Sequence, residues 1–526
     1  MPRRSLLLSA LLALCLPAWA AADPATQWWA DVSALAHDDM KGRLAGTADY
    51  LRAADYVIGR LKAEGIKPAG TDGYLQPVAL EQQVVDQAAS RAELVAKSGT
   101  VTPLKVGETI LISAGSGPRP AALDAPLVFI GYGLHLPGQG HDDFAGQDLK
   151  GKIAVVISGG PADISGAIKS NARFERGAAL ARLGALGVIS LTTPKQVEIL
   201  WERQKLLVRQ PGMYLADAHL RDIKGPFFGA TVDPGQAQRL FQGSGHSFAE
   251  LAALADASKP LPRFALPFRL KASIAARRSR LSSPNIVGML EGGDPRLKSD
   301  YIALSAHLDH LGVGAAIKGD AIYNGAMDNA TGVASVLDIA RRLKAGPPPK
   351  RSILFLFFTA EEKGLLGSSY FARRPTVPKA NIVANMNLDM ALPLWPLKSV
   401  FSPGQEQSSL GEDLRAAAAS MEVAMAVDPM PDRNSFIRAD QYSFVREGIP
   451  ALFLKFGFAK GTPQFETERD WRANRYHSPS DDLGQPILKD EAVKLNALAA
   501  AVIRRVADAK ERPQWTPGSI FRKTEK

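Results

Sequence analysis

The sequence of 526 residues has a single cysteine, Cys15, so no internal disulfide can form and thiolate chemistry has at most one participant. No five basic residues follow one another, which removes the usual signature of a nucleic-acid-binding arm. After the first twenty or so positions no long uncharged apolar stretch occurs, and no fixed-period repeat is present. What remains is 46% hydrophobic and 22% charged, with 63 Lys+Arg against 53 Asp+Glu, a composition that excludes disordered, collagen-like and coiled-coil classes. At about 100–200 residues per domain the length accommodates two to four domains, each able to bury a core without covalent staples.

The one apolar stretch is at the start. Arg3 and Arg4 precede a Leu-rich run from Leu6 to Leu16, then Pro17-Ala18-Trp19-Ala20-Ala21-Ala22. The run is shorter than the roughly 20 residues that span a bilayer, and the small residues fit an A-x-A cleavage site. Residues 1–22 therefore read as a secretory signal peptide, with an uncleaved anchor as one alternative and acylation at Cys15, disfavoured by the bulky Leu14 before it, as another. Cleavage places the protein in the periplasm or outside the cell, removes Cys15 and leaves no stable membrane association.

Beyond the signal, the chain from about Gln27 to Val95 reads as largely helical, with Leu51, Ala54, Val57, Ile58 and Leu61 at helical spacing. From about Gly99 to Lys271 short β-rich runs dominate, among them Leu127–Gly133, Lys152–Ile157 and Gly187–Leu191. From Pro284 onward strand-like runs at 301–304, 352–358, 382–386 and 451–454 alternate with helices, which predicts an α/β fold with a mixed, mostly parallel sheet sandwiched by helices.

Chemistry-bearing residues follow those runs. His307 and Asp309 follow the first, Asp328 precedes a helical segment, Glu361 and Glu362 follow the second, Asp389 follows the third, and Tyr476-His477 lies near the end. Taken singly each has a plainer reading: a structural His–Asp pair, a helix cap, a solvated Glu pair, a loop. Together they bring two histidines and five carboxylates to one edge of one sheet, where ligands bind in open α/β folds. Carboxylate oxygen and imidazole nitrogen suit zinc.

The motifs His307-Leu308-Asp309, Gly325-Ala326-Met327-Asp328-Asn329, Glu361-Glu362, Asn387-Leu388-Asp389-Met390 and Tyr476-His477-Ser478-Pro479-Ser480-Asp481-Asp482 resemble, in order, those of the secreted dizinc aminopeptidases, a group that includes glutamate carboxypeptidases and glutaminyl cyclases. The resemblance covers roughly residues 284–505. It implies two zinc ions per chain, one held by His307, Asp328 and Asp389, the other by Asp328, Glu362 and His477. It further implies Glu361 as general base, Asp309 as support for His307, and Tyr476 as either an oxyanion donor or a packing residue.

Phe129-Ile130-Gly131-Tyr132-Gly133, Asp142-Asp143-Phe144 and Asp148–Val156 resemble the protease-associated (PA) domain inserted in this family, which acts either as a lid over the site or as a packing module. The expected division is a signal at 1–22, peptidase at 24–95 and 273–512, a PA-like insert at 96–272 and a tail at 513–526. His135, His141, His219 and His246 match no ligand motif and are expected at the surface.

Peptides are the implied substrates and nucleic acid is not a partner. An aminopeptidase is favoured over a glutamate-type carboxypeptidase, a glutaminyl cyclase or a noncatalytic protein-binding relative. Arg433, Ser435, Arg438 and Asp440 resemble the family's segment near the specificity pocket, with Gln441 where relatives often carry His. The segment 457–474, with Glu466, Glu468 and Asp470, supplies either an amine-binding acid or a solvated loop.

Overall fold

The computed structural model describes residues 23–522 apart from Ser116 and Asn434, so the signal-peptide reading and Cys15 lie outside the described residues. Two eight-stranded sheets organise the chain.

The first contains β1 (Leu75–Val85), β2 (Gly212–Leu215), β3 (Ala276–Leu290), β4 (Tyr301–His307), β5 (Ser352–Phe358), β6 (Ile382–Asn387) and β7 (Ala451–Phe453) in the order β2-β1-β3-β5-β4-β6-β7, with Lys67–Pro68 pairing on β3. The pairs β5–β4, β4–β6 and β6–β7 are parallel, and those on the β3 side are antiparallel. The parallel half matches the four apolar runs expected from the sequence.

The apolar continuity of β5 reflects burial on both faces. Ile353, Phe355 and Phe357 join the core built with α1 (Pro24–Leu35), α2 (Ala48–Ala63), α3 (Thr331–Ala345), α5 (Leu410–Ser420) and α8 (Lys489–Asp508). Leu354, Leu356 and Phe358 face the other way, against Phe371 of α4 (Leu366–Arg373) and Phe444 of α6 (Gln441–Arg446). The period-2 alternation of a strand thus serves two cores.

The helical reading of residues 27–95 holds only to Ala63. Leu75–Val85 is an 11-residue strand because it pairs along its whole length with 276–286, a partner two hundred residues away.

The second sheet holds Ala122–Ile130, Ile153–Ile157 and Gly187–Leu191, overlapping the runs expected at 127–133, 152–157 and 187–191, with Arg91–Ala96 and Arg263–Ser273 leading out of and back into the first. Strand β2 also belongs to this excursion, yet it pairs with β1. Segment 457–474 is largely α7 (Pro463–Asn474). Among the described residues no helix is long and apolar enough to cross a membrane.

Candidate metal centre

Strand register assembles the site. His307 ends β4 beside Phe358 of β5, and Ser305 pairs with Asn387 of β6, so three strands end side by side at their carboxyl edge. Glu361 and Glu362 lie three and four residues beyond β5, and Asp389 two beyond β6. Asp328 sits in the turn before α3, and His477 follows α7.

All the expected residues converge. His307 Nε2 is 3.2 Å from Asp328 Oδ1, 3.6 Å from Asp389 Oδ1 and 4.0 Å from Glu361 Oε2. His477 Nε2 is 3.1 Å from Glu362 Oε2 and 3.4 Å from Asp328 Oδ2. The two Asp328 oxygens therefore face different imidazoles. His307, Asp328 and Asp389 are almost wholly buried.

Backbone bonds lock this arrangement. The carboxylate of Asp481 accepts the N–H groups of Met327 (2.8 Å) and Asp328 (3.0 Å), tying the Asp328 turn to the His477 loop. Asn329 donates to Leu388 O (2.9 Å), tying the same turn to the Asp389 loop. Arg43, fully buried, donates to the main-chain oxygens of Leu35, Leu308, Asn324 and Gly325, holding the His307 and Asp328 loops together from below.

Asp309 works differently from the expectation. Strand β4 stops at His307, so the alternation that would put both side chains on one side ends there. His307 Nδ1–H donates to the main-chain oxygen of Asp309 at 3.0 Å, while the nearest carboxylate oxygen is 3.9 Å away. That carboxylate instead accepts from the N–H groups of Glu361 (3.0 Å) and Glu362 (3.4 Å). The carbonyl fixes the His307 tautomer, leaving Nε2 as a lone-pair donor toward the site.

The electrostatics describe a buried pocket crowded with carboxylates. Burial and the neighbouring Asp389, Glu362 and Asp440 push Glu361 well above the usual carboxylate range. Burial also raises Asp309, to about 6. Burial would lower His477, but Glu362 and Asp328 outweigh it and raise the imidazole to about 9. His307 Nε2, Glu362 Oε1 and Asp389 Oδ1 are buried without hydrogen-bond partners. Orphaned lone pairs at such a density are what bound cations would satisfy, so this donor set fits divalent metal ions.

Tyr476 stacks on His477 with ring centroids 3.8 Å apart, and its hydroxyl accepts from Arg438 Nη2 at 3.0 Å. Arg438 and Arg433 both face Glu198, which belongs to the second-sheet excursion, and Arg433 and Arg472 both face Glu468 of α7. Glu468 is thus a buried ionic residue, whereas Glu466 and Asp470 are exposed.

Asp440 is fully buried, and Gln441 Nε2 donates to Phe436 O. Arg433, Ser435 and Glu468 border a small cavity of about 30 Å³ whose apolar wall includes Leu392, Phe401, Phe456 and Phe458 and whose polar wall includes Lys455 and Arg472. Lys455 at its edge donates to Asp389 O (2.5 Å) and Met390 O (2.9 Å), placing the cavity beside the metal residues.

His135, His141, His219 and His246 lie away from the site; His141 and His246 are half-buried. Sequence reasoning missed His310. It is fully buried, with Nδ1 2.6 Å from Glu362 Oε1, and its signal was a second histidine three positions after His307.

Residues 285–503 match the model described as Peptidase family M28. The "probable leucine aminopeptidase 2" of Aspergillus oryzae is 28% identical over 243 residues, 43% of this chain and 45% of the relative, so the match spans less than half of that protein. Aminopeptidase YwaD of Bacillus subtilis is 25% identical over 415 residues, 78% of this chain and 73% of its own. The structure of an aminopeptidase from Aneurinibacillus sp. strain AM-1 aligns with a TM-score of 0.53 at 19% identity, covering 95% of this chain and 96% of that one, a likeness of fold.

Proposed function

Given that the region 285–503 belongs to peptidase family M28, we propose that this chain is a zinc-dependent aminopeptidase that removes the first residue of peptides and uses two zinc ions. The observation that carries the reading is the convergence of His307, His477, Asp328, Glu362 and Asp389 with unpaired, buried ligand atoms around Asp328. His307, Asp328 and Asp389 would hold one ion, and Asp328, Glu362 and His477 the other. The donors are nitrogen and oxygen only, which suits zinc. Bound zinc supplies Lewis-acid polarisation of the scissile carbonyl and acidifies the attacking water.

The protein's own groups do the rest. Glu361 takes the proton of the water and passes it to the leaving amine, its carboxylate held in place through the Asp309 bond to its N–H. Arg438 occupies a lone pair of the Tyr476 hydroxyl, which leaves that O–H free to donate to the developing oxyanion.

Two features support an aminopeptidase over a carboxypeptidase. Both relatives described above carry aminopeptidase names. Arg433, Arg438 and Arg472 each already face a carboxylate, so none is left uncompensated for a substrate's terminal carboxylate. Residues 96–272 are read as the inserted PA-like unit restricting entry, since Glu198 and Arg203 bind residues flanking the site. With the leader at 1–22, the enzyme acts on exported or environmental peptides.

The test is hydrolysis of a panel of free-amine and N-blocked peptides, with chelator and with zinc restored. Free-amine peptides should be cleaved, with loss on chelation and recovery on zinc addition; cleavage of blocked peptides alone would overturn the proposal. Glu361→Gln should keep its metal yet lose about 10²–10⁴-fold in kcat, as removal of a general base does. A variant within tenfold of the parent would reject that role.

A further inference from the structure

His310 is the residue the mechanism leaves unused. Its ring is fully buried, and neither nitrogen has a hydrogen-bond partner. A neutral imidazole in that state strands both a donor and an acceptor, a costly arrangement that native cores avoid. The ring is nonetheless held deliberately. The His310 N–H donates to Arg43 O, and the position opposite the ring is Gly325 with φ 61°, where a Cβ would lie 2.5 Å from His310 Cγ and 2.6 Å from Cδ2. A Cβ there would also lie 2.2 Å from Asp328 O, so the glycine makes room for that carbonyl and for the ring alike.

The ring faces the metal residues. Nδ1 is 2.6 Å from Glu362 Oε1 and 3.9 Å from Asp328 Oδ2, and suitable ligand atoms of His310, Asp328 and Glu362 all lie within 4.8 Å of one another. The 2.6 Å approach is an ion-pair contact, and neither His310 Nδ1 nor Glu362 Oε1 has a partner of hydrogen-bond geometry. Two lone-pair atoms side by side, neither bonded to the other, are satisfied together by a shared cation.

Compare His477: its Nε2 lies 3.1 and 3.4 Å from Glu362 Oε2 and Asp328 Oδ2, close to the separation of about 3.3 Å between two ligands of one tetrahedral zinc. Glu362 thus offers one oxygen to each imidazole.

We propose that His310 is a further ligand of the second metal ion, giving a set of His310, His477, Asp328 and Glu362 against the three residues His307, Asp328 and Asp389 at the first. The site takes a borderline divalent cation such as zinc or cobalt, and its two imidazoles make it the more nitrogen-rich of the pair. The inference rests on the dizinc reading above and adds a residue to it.

The test uses the full chain loaded with Co²⁺. Each coordinated histidine whose other nitrogen carries a proton contributes one strongly shifted, exchangeable imidazole N–H signal in the proton NMR spectrum. Three such signals are expected in the parent and two in His310→Gln and His310→Ala. Chelator competition should show one ion weakened by more than the roughly 10–100-fold that loss of an outer-sphere partner costs, and the other unchanged. Circular dichroism of the metal-free variants verifies their fold. The parent spectrum needs no variant: two signals there would overturn the ligand role, as would variants that hold both ions as tightly as the parent. If the parent binds two ions and cleaves peptides but shows two signals, only the assignment of His310 falls; if it binds no metal, the dizinc reading falls with it.

Discussion

Arg43→Met should cost more stability than any exposed substitution in this chain. The guanidinium is fully buried and donates to four main-chain oxygens, those of Leu35 (2.6 Å), Asn324 (2.7 Å), Leu308 (2.9 Å) and Gly325 (3.0 Å). Burial lowers its pKa to about 10, against the opposing pull of Asp481, Asp309, Asp328 and Glu362, so it stays charged at neutral pH. Methionine keeps an apolar stem of similar reach and removes every donor.

Each buried acceptor left without a partner costs about 1–3 kcal/mol, so four give about 4–12 kcal/mol. Relief of the guanidinium's own desolvation, worth several kcal/mol, offsets part of that. The expected net loss is about 3–5 kcal/mol, the usual range when one member of a buried charged network is removed. Urea unfolding of chelator-treated protein, followed by tryptophan fluorescence, measures it without the stabilisation that bound metal would add. Fully buried Trp28, on α1 against α3, reports on this core. Exposed Arg52→Ala is the control, expected within about 0.5 kcal/mol. A cost below about 1 kcal/mol for Arg43→Met would show that the four carbonyls are satisfied some other way.

Other substitutions separate the remaining roles. Asp309→Asn leaves one acceptor for two N–H groups, so kcat/KM should fall about 10–100-fold with metal content unchanged, because His307 is oriented by a main-chain oxygen. Loss of metal from a folded Asp309→Asn protein would mean the carboxylate itself supports His307. Tyr476→Phe should lower kcat about 10²-fold without loss of metal, the effect of deleting one oxyanion donor; unchanged kcat would leave the tyrosine a packing role against His477. Burial by itself would raise Glu198, but Arg438, Arg472 and Arg433 hold it down at about 2. A carboxylate with its pKa depressed on folding stabilises above its unfolded value of about 4.3 and loses that contribution as pH falls toward 2. The stability difference between the parent and Glu198→Gln, about 1–3 kcal/mol, should be flat from pH 5 to 7 and close between about pH 4.5 and 2; a difference that does not narrow would refute the ionic role.

The strands nearest the site were legible because each is buried on both faces and therefore written almost entirely in apolar residues, Ser352-Ile353-Leu354-Phe355-Leu356-Phe357-Phe358 above all. The antiparallel half was not. Ala276-Arg277-Arg278-Ser279-Arg280 carries no strand pattern, and it extends only because β1 supplies its hydrogen bonds. Glu468 read equally well as a solvated loop acid, and what buries it is two arginines, one of them thirty-five residues away.

The sequence by itself determined the donor types, their order and hence the class of chemistry, because motif residues sit at the ends of elements whose apolar runs announce them. Tertiary structure alone decided which oxygen faces which imidazole, that a carbonyl rather than a carboxylate orients His307, and that His310 turns inward. Those outcomes depend on parallel strand register and on loops pinned by Arg43 from more than two hundred residues away, and no local spacing encodes contacts of that range.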